Sequence, residues 1–243
     1  MVVATTPVDE GSVDPGSPTR SRWWWPRLPA TSGYLSVLVI VTAVFTAVGE
    51  STRSRVVLDA STNLNNLLDG RLGTLFASAL VIGDVGVAWM IIPLLGCLLA
   101  LAELRFGAMR LMHVFLAGHI GATLLVAAGL WVAVTAGWLP ASISWAEDVG
   151  ISYGAMALVG ALIAAMPPRW RIGWAGAWFV VGAGGIVLGQ TFTNVGHLLS
   201  LCIGLTAGYG MIRAKAASPR RLTRVEWALL ATSIVLAGAV LLG

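Results

Sequence analysis

The chain has 243 residues, of which 57% are apolar and only 11% charged. Those proportions exclude a disordered chain, which combines low hydrophobicity with high charge, and an ordinary soluble domain, in which roughly a quarter of residues are charged. A mean hydropathy of +0.85 points instead to a polytopic membrane protein, with room for at most about ten spans of ~20 residues. The net charge of +4 comes from 14 Arg and one Lys set in short clusters between apolar runs. That pattern reads as membrane topology, not as a nucleic-acid-binding surface. Cys97 and Cys202 lie inside apolar runs with no CxxC or Cys/His spacing. They read as small core residues, and no disulfide framework, metal site or cofactor is expected.

Residues 1–32 form a polar tail rich in Pro, Ser, Thr and Gly, expected to be disordered and cytoplasmic. Its Trp23-Trp24-Trp25 beside Arg20, Arg22 and Arg27 reads as an interfacial anchor. Seven spans follow, at about 33–49, 84–104, 110–134, 149–166, 172–189, 193–212 and 226–243. The semi-polar loop 50–83 contains a periodic stretch, Leu72 to Leu80, too short for a span and suited to lying on or dipping into the membrane. With the N-terminus in the cytoplasm, 12 of the 15 basic residues fall on that side, and only Arg53, Arg55 and Arg71 lie opposite. This bias predicts a cytoplasmic N-terminus and an extracytoplasmic C-terminus in the plasma membrane. Residues 213–225 then make a basic cytoplasmic linker to a last span at 226–243.

Ionisable residues at membrane depth are the first functional candidates. They are few: His113 and His119 in the third span and His197 in the sixth. Glu103 and Glu226 sit at span ends, where structural roles are expected, and Asp84 and Asp148 are placed to cap helices. Span 4 opens Asp148-Val-Gly150-Ile-Ser152-Tyr153-Gly154, and span 6 opens Asn194-Val-Gly196-His197. Both start from the same face, so Ser152 and His197 come at similar depth. His197, Ser200 and Gly204 share one helical stripe; Gly150, Gly154 and Gly160 give the fourth span a small-residue face. Such faces let helices approach closely in lipid. If these two meet, a serine comes beside a histidine base, the arrangement of an activated nucleophile. The plain alternative is a serine bonded to its own backbone and a histidine bonded to a neighbouring helix.

In this order, the residues resemble the rhomboid family of intramembrane serine proteases, over about residues 33–212. Gly150-Ile-Ser152 is similar to the family's GxSG, with Tyr153 in place of the second Gly. His197, Ser200 and Gly204 match the small-residue spacing around the family's catalytic histidine. Glu103-Leu-Arg105-Phe-Gly107 resembles the end of its second span, and Gly118-His119-Ile-Gly121-Ala122-Thr123 its third. Of the Trp-Arg motif of its first loop, Gly70-Arg71-Leu72 retains the Arg. The departure is in span 2, where Val85 to Pro93 lacks the His and Asn that stabilise the oxyanion in active members.

The resemblance implies an all-α membrane protein with a six-helix core (33–212) and an added seventh transmembrane helix. It implies Ser152 as nucleophile and His197 as base, acting on transmembrane protein substrates near the outer face. Asn194 is the candidate for orienting His197, and Asn194 or Trp89 for an extra oxyanion donor. The expected partners are the lipid bilayer and membrane-protein substrates or clients, with no nucleic acid. Two other readings stay open: an inactive pseudoprotease that binds membrane-protein clients, and a transporter subunit, which the lack of an intramembrane carboxylate disfavours.

Overall fold

The computed structural model describes residues 28–149, 151–215 and 221–242. Among them there is no strand. The helices are α1 (Pro29–Ala47), α2 (Glu50–Ala60), α3 (Leu64–Leu68), α4 (Thr74–Ala77), α5 (Val85–Phe106), α6 (Ala108–Thr135), α7 (Ser152–Ala161), α8 (Arg171–Gly189), α9 (Phe192–Arg213) and α10 (Arg224–Leu242), with short 3-10 turns between some of them. Of these α1, α5, α6, α8 (with the turn before it) and α9 are long and apolar enough to cross a membrane, while α7 with its 3-10 extension forms a shorter apolar helix, Ser152–Ala164. The protein is therefore an all-helical, multi-pass membrane protein.

The end of α5 organises one face of the bundle. α1 starts at Pro29, four residues earlier than expected, because its first N–H groups find a partner elsewhere in the chain. The Glu103 carboxylate accepts from Ala30 N (3.1 Å), Thr31 N (2.8 Å) and Thr31 Oγ1 (2.6 Å). A helix start lacks intrahelical acceptors for these donors, and a carboxylate there also meets the positive end of the dipole. Two residues on, the buried Arg105 reaches Glu226 of α10 (3.6 Å) and donates to the Ala165 carbonyl (3.1 Å). Glu226 also closes a capping box, its Oε2 accepting from Thr223 N (2.7 Å) while Thr223 Oγ1 accepts from Glu226 N (3.3 Å). Gly107, at φ +80°, makes the turn into α6, a conformation that favours glycine. Asp84 caps α5 as expected, accepting from Val87 N at 2.9 Å, and the helix continues through Pro93.

The centre of the bundle is the trio α6, α7 and α9, held close by small residues. A Cβ on Gly160 would stand 2.5 Å from the Leu201 carbonyl and 2.7 Å from Leu205 N. One on Gly204 would run into the Ala157 carbonyl, and one on Gly118 into the Ala157 side chain. The fully buried Ser200 makes a short hydrogen bond to the Tyr153 carbonyl, tying α9 to the first turn of α7. Gly154 does not face α9, as its place beside Gly150 suggested. A Cβ there would meet the Phe115 ring of α6. α1 and α10 pack on α5, and α8 rests mainly on α9, with Trp174 Nε1 donating to the Val159 carbonyl of α7 (3.0 Å). Cys97 is half-buried and Cys202 exposed, so Cys202 does not belong to the core.

The first loop folds into α2, α3, α4 and a 3-10 turn, held by a polar knot. Asn63 caps α3 by accepting from Asn66 N (2.8 Å). Asn66 donates to the carbonyls of Leu58 (3.0 Å) and Ser61 (2.8 Å) and accepts from Arg71 (2.9 Å). The loop then grips the segment before α7: Asp148 N donates to Ser61 Oγ (2.9 Å), and Thr62 N and Oγ1 both donate to the Asp148 carbonyl (2.9 Å each).

Candidate functional site

That grip delays the start of α7. The chain remains non-helical through Val149, and α7 begins at Ser152, not at 149. Ser152 is thus the first residue of the helix. Its N-cap residue, Ile151, offers no capping side chain, so the leading N–H groups and the positive end of the dipole converge where the serine sits. Asp148, expected to cap α7, does not: its carboxylate faces Thr62 Oγ1 (3.4 Å).

Ser152 and His197 line one cavity of about 400 Å³. Its walls are apolar: Ile91, Leu94 and Leu98 of α5, Trp178 and Val181 of α8, and Ile234 of α10. His197 is on the sixth residue of α9. Its Nε2 is buried and has no hydrogen-bond partner. No hydrogen bond within 3.5 Å joins it to Ser152 Oγ. The two groups share a chamber without yet being bonded.

Asn194 lines the same cavity as His197, with its side chain against Gly185 and Gly189 of α8. Other expected participants stand elsewhere. Trp89 is 52% exposed on α5 and is no part of the cavity wall, because its helical position turns it outward. His113 bonds the Met109 carbonyl of its own helix (2.7 Å) and is exposed. Gly150 lies outside the described residues.

What touches His197 is Tyr153. Its ring meets the imidazole edge to face, with centroids 5.5 Å apart at 79°. The ring fits because position 196 is glycine; a Cβ there would overlap it. On the far side of Tyr153 stands His119, 6.4 Å between centroids, whose Nε2 bonds Ser78 of the first loop (3.1 Å). In the sequence Tyr153 stands only as the replacement for a motif glycine, and His119 as one of three ionisable residues at membrane depth. The usable signal was that Tyr153 adjoins Ser152, while Gly196 adjoins His197.

Burial raises the Asp148 carboxyl from its ordinary 3.8 to about 6, opposed by the nearby Tyr153 and Thr62 hydroxyls. A carboxyl that binds its proton more tightly folded than unfolded stabilises the fold below about pH 4, and that contribution is lost as pH rises through about 6. The thermal midpoint in detergent is therefore expected to fall between pH 4 and pH 7 more steeply in the wild type than in Asp148→Asn. Parallel profiles for the two proteins would contradict this.

A family model described as "Rhomboid-like protein" matches residues 25–218. No curated protein and no solved structure matches the chain.

Proposed function

This chain belongs to the rhomboid-like protein family, and from that premise we propose that it is an intramembrane serine protease using a Ser152/His197 dyad. Ser152 Oγ attacks a peptide carbonyl of a transmembrane substrate. His197 takes the serine proton and returns it to the leaving amine, and water then releases the acyl group by the reverse route. The observation that carries the reading is the shared cavity, lined by a helix-terminal serine and by a histidine whose buried Nε2 has no partner. A base and nucleophile that are not yet bonded in the free protein can close to hydrogen-bond reach when substrate binds.

Oxyanion stabilisation falls to the backbone. The α5 wall offers Ile91, Leu94, Leu95 and Leu98, none of them a donor. The uncapped start of α7 offers N–H groups at the serine itself. Each missing side-chain donor costs roughly 2.7–4 kcal/mol of transition-state stabilisation, so a slow enzyme is expected. The charge bias supports a plasma-membrane protein with its N-terminus in the cytoplasm, the Glu103–Arg105 end of the bundle on the cytoplasmic side and the dyad toward the outer face.

The same apolar α5 wall favours a second reading, a non-catalytic relative that holds membrane-protein clients in this chamber. Labelling of the purified, folded protein with a fluorophosphonate serine probe separates the two. Under the protease reading the wild type is labelled and Ser152→Ala and His197→Ala are not. Absence of labelling in the wild type rejects an activated serine and leaves client binding.

A further inference from the structure

Among the described residues no side chain is hydrogen-bonded to His197 Nε2, and Asn194 of the same helix lies against Gly185 and Gly189 of α8. The groups around His197 are few. α5 and α8 present apolar side chains to the cavity, α10 adds Ser233, and α7 adds Ser152 and Tyr153. His119 of α6 is screened from it by Tyr153. Just ahead of α7 come two acidic residues, the exposed Glu147 and the partly buried Asp148.

Tyr153 connects Asp148 to His197. It is 2% exposed, and its hydroxyl is buried with no hydrogen-bond partner within 3.5 Å. Yet that hydroxyl lies in electrostatic reach of the Asp148 carboxylate and the Thr193 hydroxyl. A buried phenol without a partner is destabilising, so a small adjustment that lets it donate is favoured. Asp148 is well placed to accept: its backbone is clamped by Ser61 and Thr62, so its position is fixed independently of its side chain.

Resting on the dyad reading, we propose that Asp148 and Tyr153 form a positioning pair for His197. The Asp148 carboxylate accepts the Tyr153 hydroxyl, which locks the ring over Gly196, and the ring edge holds the imidazole facing Ser152. Neither residue touches the reacting atoms. Above about pH 6 Asp148 is ionised, so the acceptor is charged under neutral conditions. The pair also couples the site to the first loop, because the residues that clamp Asp148 belong to the knot built on Asn66 and Arg71.

The test uses the full-length protein in detergent and the isosteric variants Asp148→Asn and Tyr153→Phe, both of which keep the backbone bonds to Ser61 and Thr62. Fluorophosphonate labelling at pH 8 is followed against probe concentration, together with the imidazole NMR signals of His197 and, as an internal reference, His113. The expected result is an about tenfold loss of the maximal labelling rate in each variant, no further loss in the double variant, and an unchanged half-saturating probe concentration. His197 signals shift in both variants while those of His113 do not, and Asp148→Glu restores part of the rate. Wild-type rates and unmoved His197 signals in Asp148→Asn would overturn the pair and leave the dyad standing. An unlabelled wild type whose His197 signals still respond to both variants would overturn the dyad and leave the pair.

Discussion

Placing leucine at Gly204 is expected to abolish the folded protein, and alanine there to lower the thermal midpoint in detergent by at least 10 °C. The reason is which atoms stand in the way. A Cβ at this position would lie 2.7 Å from the Ala157 carbonyl carbon and closer still to its oxygen. Those are backbone atoms of α7, which cannot rotate aside, so the helices must separate. Overpacking a well-filled core usually costs about 1–3 kcal/mol; here the displaced contact is the central α7–α9 seam, also held by Gly160 and Ser200. Gly129→Ala and Gly176→Ala are the controls, since nothing lies within 4 Å of a Cβ at either. Equal midpoints for Gly204→Ala and Gly129→Ala would show that the seam is not where this structure puts it.

The other large effect concerns chemistry with the fold left intact. Ser152→Ala and His197→Ala are each expected to reduce cleavage of a co-expressed transmembrane substrate to background, a loss of about 10⁴–10⁶-fold, with the double variant no worse than either single one. Folded yield is expected to stay at the wild-type level, because neither side chain makes a structural hydrogen bond: Ser152 is half-buried at the cavity wall, and His197 Nε2 has no partner. Ser200→Ala supplies the contrast, since its hydroxyl does hold α7 and should reduce yield. Cleavage retained equally in both single variants would reject the dyad.

The membrane-helix pattern was legible because spans of about 20 apolar residues leave an unmistakable mark in composition. Thus α5, α6, α8 and α9 fall within a few residues of their expected bounds. The start of α7 was not legible. Val149 and Ile151 read as the first apolar residues of the span, and what keeps Asp148 and Val149 out of the helix is a contact with Ser61 and Thr62, 86 to 87 residues away. The long-range cap of α1 by Glu103 was hidden for the same reason. At the site, the one-dimensional spacing of His197, Ser200 and Gly204 marked a helical face, and Gly204 and Ser200 do meet α7 in the structure. The direction in which Asn194, Trp89 and Gly154 point depends on the rotation of each helix within the bundle, which a sequence stripe does not specify. The role of Tyr153 was hidden because a replaced motif glycine says nothing of the contact its successor makes, here with the His197 ring.

The five residues from Glu103 to Gly107 have a bearing on how the chain is made. Glu103 supplies the cap for a helix synthesised more than 70 residues earlier, and Arg105 pairs with a glutamate more than 120 residues later. The carboxylate cap of α1 can therefore form only once α5 has been made, and the Arg105–Glu226 pair only once α10 has. A chain made only as far as α9 lacks Glu226, so its Arg105 can hold the Ala165 carbonyl but not the carboxylate that completes this end of the bundle.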